Sequence, residues 1–556
     1  MTDPAPSYMH GASDRPMIGE TIGVHFDRTV ERYGDRPGLI VRQQGVNWTW
    51  SELAAHVEAF AAGLVALGLQ PGDRIGIWSP NNAEWIVTQF ATAKAGLILV
   101  NLNPAYRLTE LEYALNKVGC KALITATSFK TSDYIGMINT LAPELSIARP
   151  AQLHAVRLPS LRSVIQIGGD DSGTFAFEKI AHHGRDVDRK RLKDLASLLQ
   201  FDDPINVQFT SGTTGLPKGA TLTHHNVLNN GLFIGQLMHY TDQDKVCIPV
   251  PMYHCFGMVI GVLACMTHGA AIVFPGEGFE PLATLQTVAE HRCTSLLGVP
   301  TMFIAELDHP EFSQFDLTSL RTGVMAGAPC PIEIMRRCIR DMHLTELTIC
   351  YGMTETSPVS TQTRIGDSLD KQVASVGRAH PHVEIKIIDA EGRVVPRGVT
   401  GEFCTRGYSV MQGYWEDPER TAEAMDQAGW MHTGDLATMD EDGYCAIVGR
   451  IKDLVIRGGE NIYPREVEEF LYRHPAIVDV QVFGVPDKRF GEELCAWIKL
   501  RNGETLTEDD VKAYCKDQIA HYKIPRYVRF VDQFPMTVTG KMQKYLMRER
   551  MIEELD

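Results

Sequence analysis

The sequence predicts an α/β protein: a large N-terminal domain of two open α/β sheets plus a small β-barrel lobe, followed by a small mobile α+β C-terminal domain. The chain has 556 residues, too many for one hydrophobic core, and 44% of them are apolar, enough for several. Apolar runs typical of strands alternate with stretches of helical period in two parts of the chain. Short alternating strands replace them after residue 375. We therefore expect an N-terminal domain over 1–450 and a C-terminal domain over 451–556.

The first alternation begins with a predicted helix over 51–69, where Leu53, Val57 and Phe60 recur at helical spacing. Such alternation favours parallel strands joined by right-handed crossovers. We expect residues 127–199 to be an irregular surface connection and residues 1–16 to be a disordered lead. The predicted strands of this part cover 74–78, 97–100 and 121–126, with helices over 82–94 and 109–117.

A second alternation follows residue 210. Two such sheets imply a crevice between them, with binding residues at the ends of strands. Its predicted strands cover 246–250, 271–274, 294–298, 322–326 and 347–350, and its helices 223–240, 258–268, 281–292 and 332–342. The lobe is predicted from strands over 383–389, 401–405 and 444–449, and the C-terminal domain from helices over 464–473 and 508–519 and strands over 478–485 and 494–500.

Charge and cysteine usage exclude several classes of protein. The formal net charge of −16 argues against a nucleic-acid or anionic-membrane surface, so an anionic substrate requires a local basic site. The twelve cysteines contain no Cys-x-x-Cys pair, and the chain shows neither a signal peptide nor an apolar run of membrane-spanning length. These features predict a reduced, cytoplasmic protein. The oligomeric state stays open, with a homodimer as one arrangement.

The most informative segment of the sequence follows a predicted strand over 205–209. It contains four hydroxyl side chains, three glycines and a lysine in one turn. Glycines let backbone N–H groups point at a guest, hydroxyls donate further hydrogen bonds, and the lysine adds positive charge, an inventory that suits a polyphosphate. A flexible polar surface loop is the alternative. The sequence of the segment is Phe209-Thr210-Ser211-Gly212-Thr213-Thr214-Gly215-Leu216-Pro217-Lys218-Gly219.

Familiar nucleotide and nucleophile motifs fail on spacing. A Walker loop requires glycine where Pro217 stands, and a nucleophile elbow requires glycine where Phe209 stands. The segment from Gly276 to Pro281 lacks the last glycine of a dinucleotide fingerprint. The loop instead resembles the phosphate loop of the adenylate-forming superfamily, which includes acyl-CoA synthetases, luciferases and peptide-synthetase adenylation domains; Phe209 replaces the usual tyrosine. The resemblance implies that ATP is bound by Thr210, Ser211, Gly212, Thr213, Thr214 and Gly215, with Lys218 catalytic.

Further motifs follow in the order of that superfamily. In Tyr351-Gly352-Met353-Thr354-Glu355, the resemblance implies that the tyrosine stacks on the purine beside Gly352, that Thr354 bonds the α-phosphate, and that Glu355 supplies the hard oxygen that Mg²⁺ prefers. A strand-ending turn with an exposed glutamate is the alternative. The segment Gly327-Ala328-Pro329 resembles the stretch that approaches adenine and begins the acyl pocket.

The ribose and acyl motifs are the next two. Trp430 to Asp435 resembles the ribose motif, in which the aspartate accepts hydrogen bonds from both hydroxyls; Arg450 would add a ribose or phosphate contact, or form a surface ion pair. His254, between aromatics, resembles the residue that gates the acyl tunnel, with a satisfied core histidine as the alternative. Metal-ligand spacing is absent around His254 and around the pairs 182–183 and 224–225, so the sequence predicts no transition-metal site there.

The last part of the chain contains the predicted junction between the two domains and a motif with a lysine. By resemblance, Lys452 is the hinge, Gly458 and Gly459 line the approach of the CoA thiol, and Lys541 is the catalytic lysine that enters the site. Residues 521–550 hold seven Lys or Arg against two acids, a local charge of +5 that suits pyrophosphate and CoA.

These parts predict an AMP-forming acyl-CoA synthetase with ATP and CoA as co-substrates and Mg²⁺ as cofactor. The whole chain resembles the medium-chain acyl-CoA synthetase branch of the superfamily, which implies a medium-chain fatty acid as the favoured acid. Gly231 and Gly235 lie one turn apart on a predicted helix, where they would leave room for an alkyl tail or allow close helix packing. An aromatic, short or branched acid, a luciferase-like oxygenase, an amino-acid-activating domain and a nucleotide sensor are the alternatives. The motif around His254 contains no acid to hold an ammonium group, which argues against amino-acid activation.

Overall fold

This computed structural model describes residues 5–210, 217–328, 330–458, 460–536 and 542–555. Within those residues the strands form two large mixed sheets, here sheets A and B, two five-stranded sheets, C and D, and a ribbon of Ser128–Phe129 with Ser132–Asp133. The α-helices are Ile22–Tyr33, Trp50–Ala66, Ala83–Ala95, Leu108–Val118, Tyr134–Leu141, Phe177–Ile180, Asp186–Leu198, His224–Leu237, Ala264–His268, Pro281–His291, Pro300–Leu307, Ile332–Asp341, Leu369–Ala374, Pro418–Ala424, Pro464–Leu471, Glu508–Cys515 and Lys544–Leu555. A π-helix covers Phe256–Leu263, and 3₁₀ turns cover Arg42–Gln44, Pro143–Ile147, Ala181–His183, Phe312–Gln314, Thr354–Thr356, Ile451–Asp453 and His521–Lys523.

Sheet A carries the strands on both sides of residues 211–216. Pro204–Thr210 runs parallel to Ile98–Asn101 and antiparallel to Lys218–Thr223. The prediction that the second alternation starts at the phosphate loop is therefore wrong, because backbone pairing attaches this hairpin to the first sheet. In spatial order the strands of sheet A are Phe175–Ala176, Ser163–Ile167, Ala122–Ala126, Arg74–Trp78, Ile98–Asn101, Pro204–Thr210, Lys218–Thr223 and Gly413–Tyr414.

Residues 127–199 are not an irregular surface connection. They contain the strand Ser163–Ile167, which pairs parallel with Ala122–Ala126 and fully buries Val164 and Ile165. Only its tertiary partners identify this segment as a strand.

Sheet B contains the predicted second alternation, and its parallel strands confirm the predicted open α/β architecture. The hairpin Pro37–Val41 and Val46–Thr49, which the sequence did not predict, forms one edge. In spatial order the strands are Arg378–Ala379, Val359–Gln362, Glu346–Gly352, Thr322–Ala326, Ser295–Gly298, Lys245–Cys247, Ala271–Phe274, Pro37–Val41 and Val46–Thr49. The core between sheets A and B includes the fully buried Phe26, Trp50 and Trp85 on three helices.

Sheet C is the predicted small lobe, and its described strands form an open antiparallel sheet without closing into a barrel. Tyr8–His10 pairs with Val383–Ile388, and the Gly11 N–H donates to the Val383 carbonyl at 2.8 Å. The prediction of a disordered N-terminal segment is therefore wrong for residues 5–16. Backbone hydrogen bonds hold this edge strand, and amino-acid composition does not reveal them. In spatial order the strands are Tyr8–His10, Val383–Ile388, Gly401–Gly407, Met431–Met439 and Cys445–Arg450.

Sheet D and the last three α-helices build the end of the chain. Two buried clusters there draw their residues only from Val455 to Met551. The boundary at 450 and 451 stays a prediction, as does the mobility of this part. The strands are Glu460–Ile462, Val455–Arg457, Gly491–Leu500 and Ile477–Asp487, with Tyr527–Phe530 pairing Gly491–Leu500.

Candidate functional site

Lys218 on sheet A and Glu355, in the 3₁₀ turn after a strand of sheet B, meet through Tyr414. Lys218 begins a strand of sheet A, and Tyr414 lies on the two-residue strand that pairs with it. The Tyr414 hydroxyl donates to Glu355 Oε1 at 2.8 Å, and Lys218 Nζ donates to that hydroxyl at 3.0 Å. Nζ also lies 4.3 Å from the centroid of the Tyr414 ring, within the range of a cation–π contact. One phenol thus links the predicted phosphate lysine to the predicted metal carboxylate.

This cluster is shielded from solvent. Glu355 and Tyr414 are each 5% exposed. Burial, and then the neighbouring Glu355 charge, raise the pKa of Tyr414, so the phenol stays protonated and acts as a donor to the carboxylate. A hydrogen bond to an ionised acceptor is stronger than one between neutral groups.

A second cluster surrounds the predicted ribose aspartate. Asp435 Oδ2 accepts a 2.6 Å hydrogen bond from the Tyr351 hydroxyl, and Oδ1 accepts one of 2.8 Å from Arg450 Nε. Asp435 and Arg450 are also opposite each other on adjacent strands of sheet C. Attraction to Asp435 raises the pKa of Arg450, and burial, then Asp435, raise that of Tyr351. Two donors therefore fix the orientation of the Asp435 carboxylate.

The turn that presents Asp435 is held by the neighbouring strand Gly401–Gly407. Gly434 has a φ of +69°, a conformation that favours glycine. The Thr433 hydroxyl donates to the Phe403 carbonyl at 2.7 Å, and the Gly434 N–H donates to Glu402 Oε1 at 3.1 Å. Because the backbone is tied on both sides, the carboxylate of Asp435 has a defined position.

His254 and Thr354 approach each other through Cys255. His254 Nδ1 accepts the Phe256 N–H at 3.1 Å, and Cys255 Sγ lies 3.7 Å from His254 Nδ1 and 3.9 Å from Thr354 Oγ1. A π-helix, a form that is frequent at functional sites, begins at Phe256.

A narrow apolar cavity of about 20 Å³ opens beside His254. Such a volume holds about one water molecule and no alkyl chain. An acyl tail at this place therefore requires the lining side chains to move. They are Val250, Pro251, His254, Phe256, Val299, Met302 and Gly327.

The remaining predicted nucleotide contacts lie at strand ends. Thr210 ends its strand opposite Lys218, and its hydroxyl lies 3.5 Å from the Lys218 carbonyl. Gly352 ends the strand Glu346–Gly352 and is exposed. Gly327, with a φ of +87°, and Ala328 follow a strand of sheet B and are also exposed. The other predicted nucleotide residues lie outside the described ranges: Ser211, Gly212, Thr213, Thr214, Gly215 and Pro329.

The predicted junction residues follow Arg450 in the chain. Lys452 is exposed in the 3₁₀ turn Ile451–Asp453, and Gly458, with a φ of +60°, donates its N–H to the Phe490 carbonyl at 2.8 Å. Within the described ranges, no hydrogen bond or ion pair joins either residue to the Lys218 or Asp435 cluster. Gly459 and Lys541 lie outside those ranges.

Gly231 and Gly235 belong to a helix contact rather than to an acyl pocket. A Cβ on Gly231 would lie 2.8 Å from Leu263 Cβ, and one on Gly235 would lie 2.4 Å from His268 Nδ1. Helix His224–Leu237 therefore packs directly on the segment from Phe256 to His268, and the packing alternative is the correct one.

Sequence reasoning missed Tyr414 and Glu402. Tyr414 is 59 positions from Glu355 and only the pairing of its short strand with Lys218–Thr223 places it in the site. Glu402 is 32 positions from Gly434 and reaches it across a sheet. No local pattern identifies either residue.

Comparison with known proteins agrees with this geometry. Residues 26–415 match the model of the AMP-binding enzyme family, and residues 466–541 match that of the AMP-binding enzyme C-terminal domain. YngI of Bacillus subtilis is 49% identical over 539 residues, covering 97% of this chain and 98% of that protein. The mitochondrial medium-chain acyl-CoA ligase ACSF2 of Danio rerio is 47% identical over 552 residues, covering 99% and 91%.

Comparison with solved structures points to the same family. The crystal structure of the anthranilate CoA ligase AuaEII with anthranoyl-AMP superposes with a TM-score of 0.84 at 25% identity, covering 97% of this chain and 98% of that one. In the described residues, no helix has the length and apolar character needed to cross a membrane. The chain therefore belongs to the AMP-binding enzyme family, within the adenylate-forming superfamily.

Proposed function

We propose that this AMP-forming acid–CoA ligase activates a medium-chain fatty acid in two half-reactions at one site. In the first, a carboxylate oxygen bonds to the α-phosphorus of ATP as the bond to pyrophosphate breaks. In the second, the CoA thiolate attacks the acyl carbonyl and AMP leaves with the transferred oxygen. The 47% identity to a medium-chain acyl-CoA ligase supports the choice of acid.

The observation that carries the proposal is the short segment 351–355, which reaches both polar clusters. At its start Tyr351 bonds Asp435, and at its end Glu355 bonds Tyr414 and, through it, Lys218. A nucleotide with its ribose at Asp435 then has its phosphates directed toward Lys218 and Glu355. Two anions repel, so fixed charges of this kind are what the first half-reaction requires.

Glu355 fits a Mg²⁺ site by its chemistry. It is a buried carboxylate whose Oε1 accepts a hydrogen bond from Tyr414, and a carboxylate held in this way would supply the hard oxygen ligand that Mg²⁺ prefers. When bound with ATP, Mg²⁺ neutralises phosphate charge. Lys218 contributes a second, fixed positive charge to the same phosphates.

The other roles rest on the motifs. Thr210, the segment 211–215 and Thr354 donate to phosphate oxygens, and Tyr351 with residues 327–329 borders the adenine. His254 shields the reacting carboxylate from water. Lys541 enters for the first half-reaction, and rotation about Lys452 brings Gly458 and Gly459 to the thiol for the second.

We place the reaction in the cytoplasm. No disulfide joins any of the twelve cysteines, all of which lie in described residues, and this supports a reducing compartment. A homodimer stays part of the proposal.

The test is a panel of acids, from short to long, branched and aromatic, assayed for AMP release with and without CoA. We expect the highest kcat/KM for straight chains of medium length, and AMP release that depends on CoA. Preference for an aromatic or branched acid would overturn the substrate assignment while leaving the ligase class intact. Oxygen consumption or light emission with acyl-adenylate would favour the luciferase-like alternative.

A further inference from the structure

Three metal-binding side chains lie together on one face of sheet C. Glu402 and Cys404 are two positions apart on Gly401–Gly407, and His432 is directly opposite Cys404 on Met431–Met439. His432 Nδ1 lies 3.0 Å from Glu402 Oε2 and 3.7 Å from Cys404 Sγ. All three donor atoms lie within 4.8 Å of one another.

We propose that Glu402, Cys404 and His432 form a binding site for a divalent transition metal of the zinc type. Tetrahedral zinc with bonds of about 2.0–2.3 Å places its donor atoms roughly 3.3–3.6 Å apart. The observed separations of 3.0 and 3.7 Å bracket that range, so small side-chain shifts suffice. A thiolate, an imidazole and a carboxylate select zinc or cobalt over Mg²⁺ or Ca²⁺.

The second nitrogen of His432 also has a suitable neighbour. His432 Nε2 lies 3.9 Å from Asp426 Oδ2. A ligating histidine commonly donates its other N–H to a carboxylate, which fixes the ring and its tautomer. With a metal at Nδ1, the ring proton resides on Nε2 and faces Asp426. Lys386 Nζ lies 3.9 Å from the same carboxylate. Its positive charge would repel the metal ion, and the negative charge of Asp426 would partly neutralise that repulsion.

Cys404 is fully buried, whereas the other two proposed ligands are partly exposed. Its thiol must lose its proton to bind a metal, and that proton passes to solvent as the metal–sulfur bond forms. Side-chain exposures of 30% for His432 and 20% for Glu402 leave an entry path from solvent.

The site is tested by titrating Co²⁺ into reduced, tag-free, full-length protein. We expect a sulfur-to-cobalt charge-transfer band that saturates at one equivalent and disappears when Zn²⁺ is added. Cys404→Ser should abolish the band, and His432→Gln should lower Co²⁺ affinity by at least about tenfold. Melting curves without metal establish that both variants fold.

Two other cysteines provide matched controls. Cys445→Ser removes a buried thiol from the adjacent strand Cys445–Arg450, and Cys255→Ser removes the thiol 3.7 Å from His254 Nδ1. Both variants should keep the band. Its absence from the unmodified protein, its survival in Cys404→Ser and His432→Gln, or its loss in Cys255→Ser would each overturn the proposal. None of these readouts depends on the acyl-transfer reaction.

Discussion

The hydroxyl of Tyr414 donates a 2.8 Å hydrogen bond to Oε1 of Glu355. The same hydroxyl accepts a 3.0 Å hydrogen bond from Lys218 Nζ, so a phenol connects the ammonium and the carboxylate. The arrangement fixes both charged groups in a buried environment, where electrostatic interactions are strong. It also makes Tyr414 a positioning residue for the phosphate end of the site.

Tyr414→Phe should lower the rate of acid-dependent pyrophosphate exchange by roughly tenfold to a hundredfold, the equivalent of about 1.5–3 kcal/mol for a hydrogen bond to a charged group. The ring under Lys218 remains, so only the hydroxyl is removed. The Mg²⁺ concentration for half-maximal exchange should also rise, because Glu355 loses its orientation. Tyr444→Phe, which removes a hydroxyl bonded to Asp367, is the matched control and should exchange normally. An unchanged Mg²⁺ response in Tyr414→Phe would refute this role.

Asp435→Asn should raise the KM for ATP by roughly tenfold or more, because the variant loses the charge that holds Arg450 and that is proposed to hold the ribose. The specific readout is discrimination among nucleotides. The unmodified protein should use ATP far better than 2′- and 3′-deoxy-ATP, and the variant should use all three about equally. A variant that still rejects deoxynucleotides would place the ribose elsewhere.

Gly231→Ala should destabilise the protein by about 1–3 kcal/mol, since the new methyl group would lie 2.8 Å from Leu263 Cβ and 2.9 Å from the Leu263 carbonyl carbon. Urea unfolding measures the change. The chain-length profile of the remaining activity should match that of the unmodified protein. A selective loss of longer acids would show that this glycine borders the acyl pocket after all.

Lys541→Ala should abolish pyrophosphate exchange yet still convert synthetic acyl-adenylate and CoA into thioester. Gly459→Leu should do the opposite, because a side chain there would block a narrow pantetheine channel. Together the two variants separate the half-reactions. Equal impairment of both steps in Lys541→Ala, or normal thioester formation in Gly459→Leu, would be incompatible with alternation between two domain orientations.

His224 should make the protein less stable in acid. It is fully buried, its Nδ1 accepts the Ile22 N–H at 3.1 Å, and burial lowers its pKa from 6.5 to about 3. Below pH 6.5 the unfolded chain binds a proton at His224 that the folded protein does not bind. The free energy of unfolding therefore decreases as the pH is lowered, by about 2 kcal/mol at about pH 5. His224→Gln should lose this part of the pH dependence in urea unfolding at about pH 7 and about pH 5. Identical pH dependence in both proteins would contradict the assignment.

Periodicity predicted the long helices well. Trp50–Ala66 and Ala83–Ala95 lie close to their predicted bounds, because clear caps mark the ends of such helices in the sequence. Ser163–Ile167 and Tyr8–His10 were missed, since each is identified only by backbone pairing with a strand that is distant in the sequence. Pairing of strands far apart in the sequence also determined which sheet holds Pro204–Thr210.

The site residues that lie in sequence motifs were predictable from the sequence. The residues that hydrogen-bond to them from other strands were not. Lys218, Glu355 and Asp435 lie in short motifs of recognisable order, and the structure brings Lys218 to Glu355 and Asp435 to Tyr351. Tyr414 connects sheet A to the turn after a strand of sheet B, Glu402 connects adjacent strands of sheet C, and only tertiary structure supplies such neighbours. The glycines of helix His224–Leu237 allowed two interpretations, which the distances to Leu263 and His268 resolved.

Transfer of oxygen from the acid to AMP is the most direct test of an acyl-adenylate intermediate. The protein is incubated with ATP, CoA and octanoic acid labelled with ¹⁸O in its carboxylate, and the products are analysed by mass spectrometry. Attack of the carboxylate on the α-phosphorus, followed by thiol attack on the carbonyl, predicts one labelled oxygen in AMP and none in pyrophosphate. Acyl-CoA formed with unlabelled AMP, or with label in a phosphate product, would contradict the adenylating mechanism.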